Sequence, residues 1–236
     1  MTDFLQLFFS GLATGSIYAL AALGFTLLWQ ASGTINFAQG EFVMLPAFMM
    51  IFGLAAGLPL WMAFILSAVG SVLIQGWLFK RAVVDPLFKF GMMPIVVATI
   101  GLSITMRNAV RAGYSAEPKP FPYLFPDEVY SFAGLNISST DIGTFVFAMA
   151  LVLGVQTFLS RTVTGRAMQA VAQNTESATV LGIDVGRMIF YTFAINALLA
   201  AAAALLVTPT YLAKFDMGAS LGTKAFFAAI IGGFNN

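Results

Sequence analysis

The stretch Trp61-Met-Ala-Phe-Ile-Leu-Ser-Ala-Val-Gly70 is apolar on every side. It shows neither the alternation of a barrel strand nor the polar stripe of a water-facing helix. Around it the chain is short of charge: no Asp, Glu, Lys or Arg lies between Glu41 and Lys80, and none between Asp3 and Glu41. Crossing a ~30 Å hydrocarbon core takes roughly 20 apolar residues, so both gaps are long enough for membrane spans. In lipid the backbone must satisfy its own hydrogen bonds, which leaves helices or a closed barrel. Without strand-like alternation, the fold expected is an all-α, polytopic membrane bundle.

Composition agrees. Of 236 residues, 59% are hydrophobic and 9% charged, with mean hydropathy +0.90. A soluble domain carries about 25% charged residues. The chain has no His and no Cys. That removes Ser-His-Asp and Cys-His triads, imidazole or thiolate zinc sites, and His- or Cys-ligated haem. A net charge of +1 with scattered basic residues offers no footprint for nucleic acid. Met1-Thr2-Asp3 lacks the basic start of a signal peptide, so the first apolar stretch is expected to remain as a span.

Punctuation places spans near residues 4–29, 42–57, 60–79, 92–110, 142–160 and 188–207, with a further apolar run at 225–234. This gives six to seven spans in a single permeating domain. Residues 80–91 read as a charged loop. Residues 111–140 hold Pro118, Pro120, Pro122 and Pro126, a density that favours extended chain and turns. The sixth span is expected to end at Pro209. The last run stops at Gly232-Gly-Phe-Asn-Asn236, which reads either as a re-entrant half-helix or as a chain that continues further, the second being favoured. Placing loops 80–91 and 161–187 in the cytoplasm puts Lys80, Arg81, Lys89, Arg161, Arg166 and Arg187 there, a weak positive-inside bias.

Two polar segments could carry function. In 161–187, Ala167, Met168, Val171 and Ala172 recur at helical spacing. Asn174 or Thr175 can cap a second short helix, with Glu176 in its first turn and Gly182 at the left-handed position that ends it. The segment is either a knob for a partner or an amphipathic loop on the headgroups. In the other, Gly33-Thr-Ile-Asn-Phe-Ala-Gln-Gly-Glu41, Asn36 and Gln39 have capping-box spacing, so a helix is expected to start near Phe37. Its amide N–H groups could receive a carboxylate. Alternatively Asn36, Gln39 and Glu41 only shape the helix start, with Glu41 reaching to the interface. Tyr18, Arg107 with Asn108, and Asn196 are polar residues inside apolar spans and are expected to face protein or a water-filled path, or to bond between helices. Gly11-xxx-Gly15, Gly53-xxx-Gly57 and Gly218-xxx-Gly222 could allow close helix approach.

Glu176-Ser177-Ala178, three residues, then Gly182 resembles the Glu-Ala-Ala-xxx-Gly coupling loop of ABC importer permeases, with Ser177 in place of the second Ala and no downstream Ile-x-Leu-Pro. Gly15-Ser-Ile-Tyr-Ala-Leu-Ala-Ala-Leu-Gly24, Gly33–Glu41, and Gly165-Arg-Ala-Met-Gln-Ala-Val-Ala-Gln-Asn174 running into Leu181-Gly-Ile-Asp184 are similar to the permeases of branched-chain amino acid importers, of the LivH type. The resemblance runs from Phe4 to Phe234. It implies a non-enzymatic permease of the bacterial inner membrane, with ATP and Mg held by partner subunits. The partners it implies are a second permease, two ATPases, an extracytoplasmic binding protein and the lipid bilayer. Gly165, Arg166, Gln173, Asn174, Glu176, Ser177, Ala178 and Gly182 would then form the ATPase-coupling loop in the cytoplasm. Tyr18, Asn36, Gln39, Glu41 and Asn196 are candidates for the substrate path. Related permeases also serve urea, amides and other amino acids. No Gly-xxxx-Gly-Lys-Ser/Thr phosphate loop occurs in the chain. The competing reading is a self-sufficient secondary transporter or channel, for which Glu41 is the nearest thing to an intramembrane carboxylate.

Overall fold

The computed structural model describes residues 2–114, 116–126, 128–132 and 135–234. Five long apolar helices stand among the described residues: α1 (Thr2–Ser32), α3 (Leu60–Phe88), α4 (Met92–Gly113), α5 (Ser139–Arg161) and α8 (Val185–Tyr211). Two shorter ones, α2 (Gln39–Ala55) and α9 (Met217–Ile231), have 17 and 15 residues. At 1.5 Å per residue these reach about 25 and 22 Å, short of a full crossing. The amphipathic pair α6 (Val163–Gln173) and α7 (Thr175–Val180) and a hairpin of β1 (Val129–Phe132) and β2 (Leu135–Ser138) complete the chain.

Helix α8 is the centre post. Its run Ala200-Ala-Ala-Ala-Ala204 is buried throughout, and small side chains there let α1, α2 and α3 approach closely. By contrast α4 buries only Ile95, Thr99 and Ser103, and α5 only Thr144 and Ala148. Their outer faces show Met93, Val97, Ile104, Val146 and Leu153. Apolar surface on that scale suits lipid and not water.

Several boundaries differ from the sequence expectation. Residues 80–91 are mostly helix: α3 continues past Phe79, its hydrogen bonding loosens to a π pattern over Val72–Val84, and Asp85-Pro86 opens a last turn. Proline is tolerated at that position because the first-turn N–H has no helical partner anyway. Lys80 pairs there with Asp85 at 2.9 Å, five positions on along the same helix, and lysine is itself a good helix former. Pro209 does not stop α8, which runs on to Tyr211. The capping box also fails. Helix α2 begins at Gln39, Asn36 Oδ1 accepts from the Ala38 N–H (3.0 Å), and the Gln39 side chain is committed to another helix. The proline-rich segment is non-helical as expected, ending in the hairpin and stitched by paired backbone bonds between Lys119 and Ala213.

Pro46 within α2 removes the donor that the Phe42 carbonyl would use. Gln75 on α3 supplies it, its Nε2 donating to Phe42 O at 2.9 Å. A buried carbonyl left unpaired would cost about 1–3 kcal/mol, so this one bond also fixes α3 against the break.

Candidate functional site

The chain turns back from the end of α1 through residues 33–38 and starts α2 partway along the bundle, beside Asn196 midway along α8. The start of α9 meets it there. A methyl at Gly40 would collide with the Gly218 carbonyl, and one at Gly222 would lie 2.9 Å from Gly40 Cα. Gly218-xxx-Gly222 thus acts as a close-approach motif. Gly11-xxx-Gly15 does not, for a methyl at either position meets open space. In Gly53-xxx-Gly57, Gly53 packs on Ala63 while Gly57 serves a turn at positive φ.

Between this junction and α4 lies a cavity of about 370 Å³. Asn36, Gln39 and Glu41 line it from α2 and its approach, Ser103 and Arg107 from α4, and Thr223 from α9. Arg107 Nη2 donates to Glu41 Oε1 at 2.8 Å; the Glu41 side chain is 2% exposed and the Arg107 side chain as a whole 32%. Glu41 therefore does not reach to an interface, and the reason is the cation supplied across the cavity. Two donors remain unpartnered and buried, Asn36 Nδ2 and Arg107 Nε. In native proteins such orphans are rare and point to function or to an unfilled site.

Gln39 and Asn196 exchange bonds, Gln39 Nε2 to Asn196 Oδ1 (2.7 Å) and Asn196 Nδ2 to Gln39 Oε1 (3.2 Å). A methyl on Gly24 would strike Asn196 Oδ1, so that glycine makes room for the pair. Asn196 is buried behind the cavity and reaches it only through Gln39. Tyr18 lies elsewhere, in a second cavity of about 210 Å³ with Tyr211, Lys214, Asp216 and Lys224. Lys224 Nζ donates to the Tyr18 hydroxyl at 3.0 Å. Asn108 faces outward and donates to its own helix at Ile104 O (2.8 Å). The structure thus joins Asn36, Gln39 and Glu41 in one site and separates Tyr18 from it. Arg107, Ser103 and Thr223 complete that site. Arg107 carries a signal in sequence, a charge within an apolar run, but its pairing with Glu41 depends on how α4 and α2 pack.

At the other polar segment, Thr162 caps α6 by accepting from Gly165 N–H (2.9 Å), and Asn174 caps α7 by accepting from Ser177 N–H (2.8 Å). Gly182 takes φ 79° after α7. Gly165 packs against the end of α5, where a methyl would strike Leu159. Met168, Val171, Ala178 and Met188 form a small core of their own. Outside it stand Arg166, Gln173, Glu176 and Ser177, together with Val180 and Leu181, which are 87% and 76% exposed. Lys80, Arg81 and Lys89 belong to the same end of the bundle, since α3 packs there on the start of α8 through Phe79, Val84, Phe193 and Ile189.

The family model described as the branched-chain amino acid transport system permease component matches residues 7–236. The chain is 32% identical to the high-affinity branched-chain amino acid transport system permease protein BraD of Pseudomonas aeruginosa, over 99% of this chain and 80% of that one. To LivH of Escherichia coli K12 it is 31% identical, with the same coverage. A probable LivH of Methanocaldococcus jannaschii is 24% identical over 94% of this chain and 71% of its own. No solved structure matches. With its helices, its broken α2–α9 junction and these relatives taken together, the chain belongs to the branched-chain amino acid permease family and is a multi-pass membrane protein.

Proposed function

We propose that this chain is the membrane subunit of an ATP-driven importer for branched-chain or related amino acids, in the bacterial cytoplasmic membrane. It moves substrate by alternating access, driven by separate ATPase subunits that grip α6 and α7. The observation that carries this is the knob: two short capped helices, a core of their own, and an exposed tip where Val180 and Leu181 sit beside Glu176. Apolar side chains at the tip of a polar projection are what a partner protein covers. Because the knob is packed on the start of α8 through Met188, a pull on it passes directly to the centre post. The chain carries no Gly-xxxx-Gly-Lys-Ser/Thr phosphate loop, and ATP hydrolysis is assigned to the partners. A secondary carrier would need a chain or ring of intramembrane carboxylates, whereas among the described residues Glu41 is the one acid lining the cavity between α2 and α4.

The test is uptake by proteoliposomes holding the permease, its ATPases and its binding protein. Glu176→Arg is expected to leave the complex folded while abolishing ATP-dependent uptake of leucine. Normal coupling in that variant, or gradient-driven uptake by the permease alone, would overturn the reading.

A further inference from the structure

The Glu41–Arg107 pair lies at the wall of a cavity that also holds two unpartnered, buried donors, Asn36 Nδ2 and Arg107 Nε. Neither atom is accessible in this arrangement, so a ligand reaches them only when the side chains around the pair move. Parting it is costly unless each charge finds a new partner at the same moment. A neutral solute leaves both charges bare. An anion satisfies Arg107 and strands Glu41, and a cation does the reverse. A molecule carrying a carboxylate and an ammonium a few ångströms apart satisfies both, and its carboxylate also takes up the orphaned Asn36 amide. Phe25, Phe37, Ile100, Ile104 and Phe226 line the rest of the cavity, an apolar surface that suits an aliphatic body.

We propose that the Glu41–Arg107 ion pair is an internal stand-in for a zwitterion, and that an α-amino acid displaces it, its carboxylate binding Arg107 and Asn36 and its ammonium binding Glu41. The pair then sets specificity within the membrane itself: zwitterions pass, while amides, amines and simple carboxylates of the same shape do not. This deepens the amino-acid permease reading above and rests on it.

The natural absence of cysteine allows a direct test. Thr223 is exposed, lines the cavity and bonds only to its own helix, at Ala219 O. In the assembled transporter carrying Thr223→Cys, the rate of thiol modification by a methanethiosulfonate reagent is measured with leucine, leucinamide, 4-methylpentanoate or 4-methylpentanamide at one concentration. Leucine is expected to slow modification several-fold and the other three to have little effect. Adding Glu41→Gln together with Arg107→Gln is expected to abolish leucine's advantage. A neutral reagent checks that the unliganded cavity is unchanged; should that variant lose it, the comparison of the four ligands in the unaltered pair decides alone. Equal protection by 4-methylpentanamide, or leucine protection that survives removal of both charges, overturns the proposal. Vesicles that import leucine with ATP yet show no protection also overturn it, while leaving the permease reading intact. Protection without any ATP-driven uptake upholds the clamp and removes the permease reading instead.

Discussion

Glu41 and Arg107 show how far one residue's surroundings decide its meaning. An isolated carboxylate in lipid is expensive, and its partner here comes from a helix more than sixty positions away. Removing one member strands the other. Glu41→Ala is therefore expected to lower stability by about 3 kcal/mol, the low end for a buried pair because the Arg107 side chain is partly exposed, read as the unfolding midpoint in detergent. The amide pair behaves differently. Gln39→Leu leaves Asn196 buried without partners, at roughly 1–3 kcal/mol, whereas Gln39→Leu with Asn196→Leu should cost less than that single change. A double variant less stable than Gln39→Leu would mean that the two amides serve packing and not one another. Both residues are conspicuous in the sequence as polar positions in or beside apolar runs. That they meet is not, because spacing along a chain says nothing of which helices become neighbours.

At the scale of elements, the helices that announced themselves were those with long charge-free runs, and α1, α4, α5 and α8 fall within a few residues of expectation. Both ends of α7 were also legible, since Asn174 and Gly182 occupy positions that local backbone geometry demands. Asn174→Ala is expected to cost about 1 kcal/mol, seen as faster amide exchange confined to α7 and residues 181–183. What misled was local chemistry overruled by tertiary partners. Asn36 with Gln39 looked like a capping box until Asn196 claimed the glutamine, whereas Lys80 was misread for its charge alone, since it stays helical and pairs locally with Asp85. The break at Pro46 is likewise mended from outside. Gln75→Leu should therefore destabilise α2 by about 1–3 kcal/mol although the substitution is on α3, while Gln75→Glu, which cannot donate when ionised, should be no better. Exchange rates around Phe42 distinguish this from a loss of packing on α3, which would leave them unchanged.

For the whole molecule, the arrangement is a post wrapped by long helices, with two short ones starting inside it and meeting at glycine. Gly40→Ala sets a methyl against the Gly218 carbonyl, so α2 and α9 must separate. The expected outcome is loss of uptake together with a lowered unfolding midpoint, and a smaller change at Gly15, where a methyl meets nothing. The two polar segments stand at opposite ends of the bundle: the hairpin packs by the start of α1, and the knob by the start of α8. Leu181→Cys and Ser131→Cys are expected to react with impermeant thiol reagents from opposite faces of oriented vesicles, and reaction from one face only would contradict the topology.

Lys119 and Ala213 are stitched together at the end of the bundle away from the knob. Those reciprocal backbone bonds, with Arg111 lying 5.4 Å from the Phe215 ring, tether the proline-rich segment to the short connection that feeds α9. Any tilt of α9 about its glycine pivot is then transmitted through a backbone rein to the exposed rim. A protein settling on that rim would in turn bear on α9.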